Sequence, residues 1–198
     1  EIVVRDDTGQ EVRLKQPAQR IVSLAPHVTE TLYAAGAGER MVGTVEYSDY
    51  PEAAKKLPRV GGYVRVNLEA IVGLKPDLVV AWKSGNSAAH IEKLRGLGIP
   101  VFISQPDRMD DVAKNLEAYG QLLGNSEGAQ AASNFRKRLA DLRSRYGQRP
   151  KVRVFYQIWK EPLMTVGASQ IISDAIRLCS GDNVFGNIEQ MAPRVTVE

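Results

Sequence analysis

The sequence predicts an α/β protein: a parallel sheet covered on both faces by helices, then a long helix, then the beginning of a second α/β part. Three observations predict it. Short apolar runs with strand character alternate with helical segments from Arg20 to Ile103. The helices carry recognisable boundary residues, with Pro26 and Asn67 at starts and Gly98 at a stop. The alternation then gives way to a pair of helices, the second of which keeps apolar residues at intervals of three and four.

In order, Ile2–Arg5 and Glu11–Leu14 flank the turn-rich Asp6-Asp-Thr-Gly9 and read as a hairpin. Arg20–Leu24 is a short buried strand, and Pro26 opens a helix that Gly36 closes near its C-cap. Met41–Val45 is a second strand, ending in the polar, aromatic loop Glu46-Tyr-Ser-Asp-Tyr-Pro51. Asn67 is a good N-cap for a helix over Leu68–Leu74, and Glu69 in the first turn suits the helix dipole. Pro76-Asp77 ends that helix, and Leu78–Ala81 is the next strand. Ser87–Leu97 is helical, and Pro100–Ile103 is a fourth strand.

Met109–Leu123 is then a helix broken at Gly124-Asn-Ser126, and Ser126 caps a second helix from Glu127 to about Tyr146. Ala131, Phe135, Leu139 and Leu142 form its apolar stripe, and Gly147 and Pro150 stop it. Lys151–Tyr156 and Leu163–Val166 read as strands, Ser169–Leu178 as a helix and Ser180-Gly-Asp-Asn183 as a loop. The expected organisation is a ligand-competent α/β lobe over 1–107, connecting helices over 108–148 and an incomplete α/β lobe over 149–198. The last part is too short to bury a full core of its own.

With 198 residues, 43% hydrophobic and 25% charged, the chain has an ordinary globular balance and room for one large domain or two small lobes. No apolar run is long enough to cross a bilayer. The chain starts at Glu1 with neither Met nor a signal-like apolar segment, as in a mature form or a trimmed piece. The net charge of +3 would support nucleic-acid binding only if the basic residues shared one face. The densest cluster, Arg136-Lys137-Arg138 with Arg143, Arg145 and Arg149, has Asp141 among it and no interleaved aromatics, so a solvated helix face is expected and no nucleic acid. Cys179 stands alone; it cannot form an internal disulfide, and most such cysteines are buried and inert.

The usual enzyme signatures are missing from the sequence. It holds no Gly-x-Gly-x-x-Gly, no phosphate-cradling Gly-rich loop and no Gly-x-Ser-x-Gly elbow. His27 and His90 have no metal-ligand spacing to each other or to Cys179, so no metal site is expected. His27 follows Pro26 at a helix start facing the expected site; ordinary solvation is favoured there over ligand contact, and His90 is expected to be exposed. The loops at the strand ends carry more. Pro26, Tyr47, Tyr50, Tyr63 and Trp82, with Trp159 beside Pro162 in the second part, fall at the same ends of successive elements. Aromatics of this kind also cap cores and sheet edges, and for any one of them that reading wins. For the set, a concave site for a bulky, largely uncharged ligand is favoured. In an open α/β sheet, the carboxyl ends of strands are where ligands bind.

Several segments together resemble one family. They are Arg20–Glu30, the loop Tyr47-Ser-Asp-Tyr-Pro51, Asn67–Asn86 with its Ala-Trp-x-x-Gly-Asn element, Val152–Phe155 with Gln157, and Leu178–Phe185. The resemblance is to the vitamin B12-binding branch of the class III periplasmic binding proteins. It implies two Rossmann-like lobes with parallel sheets joined by a single long helix, the second lobe incomplete here, with a corrinoid such as cobalamin held in the cleft. By position it makes Tyr47, Tyr63 and Trp82 the first lobe's wall, with Tyr63 where relatives carry Trp, and Trp159 a wall residue of the second lobe. It also implies a monomer in the periplasm that serves the membrane permease of an ABC importer. Glu69 and Glu198 match the acidic residues that meet arginines on the permease, and Cys179 matches a cysteine that is bridged in complete relatives. Haem or a ferric siderophore is the alternative cargo, for which Arg59 and Arg65 are candidate contacts. A small α/β enzyme is the distant alternative.

Overall fold

The structure, a computed structural model, describes residues 1–197; Glu198, expected as a docking carboxylate, lies outside the described residues. The chain divides into two compact units, one of Glu1–Gln105 with Lys114–Ala132 and the other of Pro106–Ala113 with Ser133 onward.

In the first unit, strands β1 (Ile2–Arg5) and β2 (Glu11–Leu14) pair antiparallel as the expected hairpin. Asp6 shapes its turn by accepting from the backbone N–H groups of Thr8 (2.9 Å) and Gln10 (3.0 Å). This is the local bonding that makes Asp a turn residue. Asp7 accepts from the Gln105 N–H at 2.6 Å, tying the turn to the end of the main sheet.

That main sheet contains β3 (Ile21–Ser23), β4 (Met41–Gly43), β5 (Leu78–Trp82) and β6 (Val101–Ser104), all parallel, in the order β4-β3-β5-β6. Helix α1 (Pro26–Ala34) begins on Pro26, where the missing N–H and fixed φ cost nothing, and buries Val28, Thr29 and Leu32. Helix α2 (Leu68–Gly73) is capped by Asn67, whose side chain accepts the Ala70 N–H at 3.0 Å. Helix α3 (Ala88–Gly96) buries Ile91 and Leu94. β5 is buried from Leu78 to Ala81, as a strand covered on both faces requires, and only Trp82 at its end is partly open. Val22, Val79, Ala81, Ile91, Leu94 and Val101 share one core with Val45, Val60 and Ile71 from the other elements.

Helices α4 (Met109–Leu123) and α5 (Glu127–Tyr146) match the expected spans, and both carry residues of both units. Along the α5 stripe Leu139 is buried, while Leu142 remains 37% exposed.

The second unit departs from the sequence expectation at several places, among them the expected strand Lys151–Tyr156, which is regular only over Val152–Val154. Ser180–Asn183 is not simply a loop: Gly181–Asn183 forms strand β8, parallel to β7 (Val152–Val154). Gly, Asp and Asn are turn formers locally, and the pairing with β7 overrides that preference. Leu163–Val166 is not a regular strand. Met164 makes isolated bridges to Trp159 and Arg194, and Thr165 donates to the carbonyl of Pro193 at 3.1 Å. Pro162 and Pro193 lack the N–H groups a continuous ladder needs. Helix α6 (Ile171–Leu178) starts two residues later than expected because the Gln170 side chain, accepting from the Ile172 N–H at 2.6 Å, serves as the cap. Cys179, expected to be buried, is exposed just beyond that helix.

Candidate functional site

The sheet order places the first strand, β3, between the second and the third. The chain therefore turns opposite ways on leaving β3 and on reaching β5, and the carboxyl ends of this pair form the crevice where open α/β sheets bind ligands. The segments leaving those ends are Leu24-Ala-Pro26-His27 and Trp82-Lys-Ser-Gly-Asn86.

Their side chains meet. The rings of His27 and Trp82 lie 5.3 Å apart between centroids with planes at 80°, and the Tyr63 ring lies 5.7 Å from Trp82 at 52°. Edge-to-face and tilted contacts of this kind are the favoured arrangements for aromatic pairs. Gly85 passes beneath the Trp82 ring so closely that a Cβ there would overlap it. Trp82 is thus held on three sides while remaining partly open to solvent.

Asn86, 7% exposed, fastens the backbone around this group. Its side-chain oxygen accepts the Trp82 N–H at 2.6 Å, and its amide donates to Leu24 O at 2.9 Å and Tyr63 O at 2.7 Å. One side chain therefore joins the ends of β3 and β5 to the loop that carries Tyr63. The Glu46 N–H donates to Gly61 O at 2.9 Å, which brings the Tyr47–Tyr50 loop to the same end of the sheet.

The expected site residues are distributed as follows. Pro26 starts α1 beside His27, and Tyr63 and Trp82 are in ring contact. Tyr47 and Tyr50 stand 76% and 68% exposed on the neighbouring loop. Trp159 is in the second unit, exposed, and donates its indole N–H to Glu161 O at 3.0 Å. Glu69 is exposed in the first turn of α2.

His27 departs from the expected ordinary solvation. Its Nε2 is buried without a hydrogen-bond partner, and burial pushes its pKa down to about 4. A neutral imidazole is the consequence at neutral pH, so the His27–Trp82–Tyr63 wall carries no net charge. The signal in the sequence was its place directly after Pro26, within the segment leaving β3. His90, expected to be exposed, likewise has a buried Nδ1 without a partner.

Arg59 is occupied within its own loop. It donates to Ser48 O at 3.0 Å and Ala54 O at 3.3 Å and approaches Asp49 at 3.5 Å. Among the described residues, no group of three or more His, Cys, Asp or Glu side chains could hold a metal ion, and no helix is long and apolar enough to cross a membrane.

Known proteins resemble this chain over nearly its whole length. The vitamin B12-binding protein of Vibrio cholerae is 44% identical over 183 residues, which are 92% of this chain and 66% of that relative. This chain therefore spans slightly under two thirds of that relative's length. The crystal structure of the periplasmic vitamin B12 binding protein BtuF of Vibrio cholerae superposes with a TM-score of 0.86 at 42% identity, covering 91% of this chain and 71% of that one. The periplasmic heme-binding protein RhuT from Roseiflexus sp. RS-1 is more distant, with a TM-score of 0.76 at 26% identity, covering 90% of this chain and 71% of that one. The family model for periplasmic binding proteins matches residues 21–198, from β3 and its crevice onward, and on that match the chain belongs to the periplasmic binding protein family.

Proposed function

We propose that this protein captures cobalamin, or a related corrinoid, in the periplasm and delivers it to the permease of an ABC importer. The observation that carries this reading is the uncharged wall of Trp82, Tyr63 and neutral His27 at the carboxyl ends of β3 and β5. A corrinoid is large and its periphery carries neutral amide side chains, and flat aromatic area holds such a ligand without a matching charge. The 44% identity to a vitamin B12-binding protein supports the same cargo.

Tyr63 and Trp82 are the proposed central contacts of the first unit, with Pro26, Tyr47 and Tyr50 beside them; Trp159 is proposed as a ligand-binding residue of the second unit. The reading is of a binding protein with cobalamin as cargo, no catalytic step and no resident cofactor. Of the two candidate cations for an anionic siderophore, Arg59 is spent on loop carbonyls, while Arg65 is exposed on the Tyr63 loop. Glu69 and Glu198 are the proposed docking carboxylates for the permease, where paired charges set orientation and encounter rate.

The test is isothermal titration of the protein with cyanocobalamin, with haem and a ferric siderophore titrated in parallel. One-to-one binding selective for the corrinoid is the expected result. Tight binding of haem or the siderophore with no corrinoid response overturns the cargo.

A further inference from the structure

Tyr47 is held in a backbone conformation that its own side chain does not reward. Its φ is +65°, in the left-handed region where a residue with a Cβ is strained. Its ring is 76% exposed, so packing of the ring does not select that conformation.

The following residue shows what does. Ser48 is 1% exposed and belongs to a cluster of four buried hydroxyls. Ser48 Oγ accepts from Thr44 Oγ1 at 2.9 Å and lies 3.2 Å from Thr29 Oγ1. Thr29 and Thr44 are 2.8 Å apart, and Ser23 Oγ lies 2.6 Å from Thr29 and 2.8 Å from Thr44. Each hydroxyl carries one proton and can accept as well, so each of the four has partners within the cluster, and Thr29 Oγ1 also reaches Ala25 O at 3.2 Å. Ser23 lies on β3, Thr29 on α1, Thr44 directly after β4 and Ser48 on the Tyr47 loop, all segments that lead into the site. Outside the cluster, the Arg59 guanidinium donates to Ser48 O at 3.0 Å. Ser48 is therefore fixed through both its side chain and its carbonyl, and the chain must pass through Tyr47 to reach it.

Resting on the proposed corrinoid reading, we infer that the Ser23–Thr29–Thr44–Ser48 cluster and Arg59 are positioning residues that impose the left-handed turn at Tyr47, so that its ring stands ready as a ligand contact. Strain kept at an exposed aromatic is pre-organisation: the ring's placement is settled before the ligand arrives. Thr29 and Thr44 are buried, and their effect on binding passes through Tyr47.

A double-mutant cycle between Thr29 and Tyr47 tests this, read by cyanocobalamin titration and thermal unfolding. Tyr47→Gly is expected to weaken corrinoid binding about tenfold while raising the midpoint by about 2–4 °C, because glycine tolerates the turn. Thr29→Val, close in shape but without the hydroxyl, is expected to weaken binding several-fold, and Thr29→Ser to restore it. In the Tyr47→Gly background, Thr29→Val should have no further effect on affinity. Equal losses from Thr29→Val in both backgrounds, or unchanged affinity in Tyr47→Gly, overturn the inference alone. Failure of the wild-type protein to bind any corrinoid overturns the cargo reading and this inference together.

Discussion

The rings of His27 and Trp82 meet at 5.3 Å with their planes 80° apart, and the histidine in that contact is neutral. Burial of the imidazole, rather than a charged neighbour, is what lowers its pKa. The contact thus joins the stability of the first unit to the state of the proposed site.

Stability should therefore depend on pH through His27. Its folded pKa of about 4 lies below the ordinary 6.5, so as pH falls the unfolded chain takes up the proton first. This contribution is fully present above about pH 6.5 and is lost as pH falls through about 4, a change of about 3 kcal/mol. Urea unfolding at several pH values across that window, in the wild type and in His27→Gln, measures it. The wild type should lose more stability than the variant, and parallel curves would remove His27 as the cause.

The aromatic wall should set affinity. Trp82→Ala and Tyr63→Ala remove stacking area, each weakening corrinoid binding by about 1–3 kcal/mol, or roughly fivefold to 150-fold. Gly85→Ala should act similarly although it deletes nothing, because the added Cβ displaces the Trp82 ring. Titration calorimetry with circular dichroism as a check of folding decides this, and unchanged affinity in Trp82→Ala and Tyr63→Ala would remove both from the site.

Asn86→Asp should damage both fold and binding despite its similar shape. The amide donors to Leu24 O and Tyr63 O would be replaced by a carboxylate oxygen facing two carbonyls. Leaving buried polar groups unpaired costs about 1–3 kcal/mol each, so a loss of at least about 2 kcal/mol is expected in urea unfolding. Corrinoid affinity should fall with it under conditions where the variant is still folded. A variant as stable as the wild type would show that Asn86 is not the fastening.

Glu69→Ala should separate binding from delivery. The side chain is exposed on α2 and takes no part in the ring contacts, and Asn67 rather than Glu69 caps the helix. Corrinoid affinity and melting temperature should stay near wild type, with stability changing by less than about 1 kcal/mol. Uptake through a reconstituted permease should drop. Normal uptake with Glu69 and Glu198 both replaced would overturn the docking role.

The regular elements of the first unit were legible in local sequence signals. The Asn67 cap, Pro26 at a helix start and the buried run Leu78–Ala81 each act over a few residues, and the structure follows them closely. Alternation of strand and helix was enough to imply a parallel sheet, and hence the end of it at which a site belongs. The aromatics Tyr63 and Trp82 were legible for the same reason, since they sit at strand ends and on loops.

Features that depend on partners distant in sequence emerged only on folding. Gly181–Asn183 became a strand only because β7 was there to pair with it. His27 became a buried neutral group because Trp82, fifty-five positions away, closes over it. Asn86, read in the sequence only as the end of the Ala-Trp-x-x-Gly-Asn element, proved to be the fastening between Leu24, Tyr63 and Trp82. The left-handed turn at Tyr47 had no glycine to announce it; it follows from the buried hydroxyls that hold Ser48. The physical reason is the same in each case. Local propensities are worth fractions of a kcal/mol per residue, whereas burying or pairing a polar group is worth about one or more, so long-range contacts win where the two disagree.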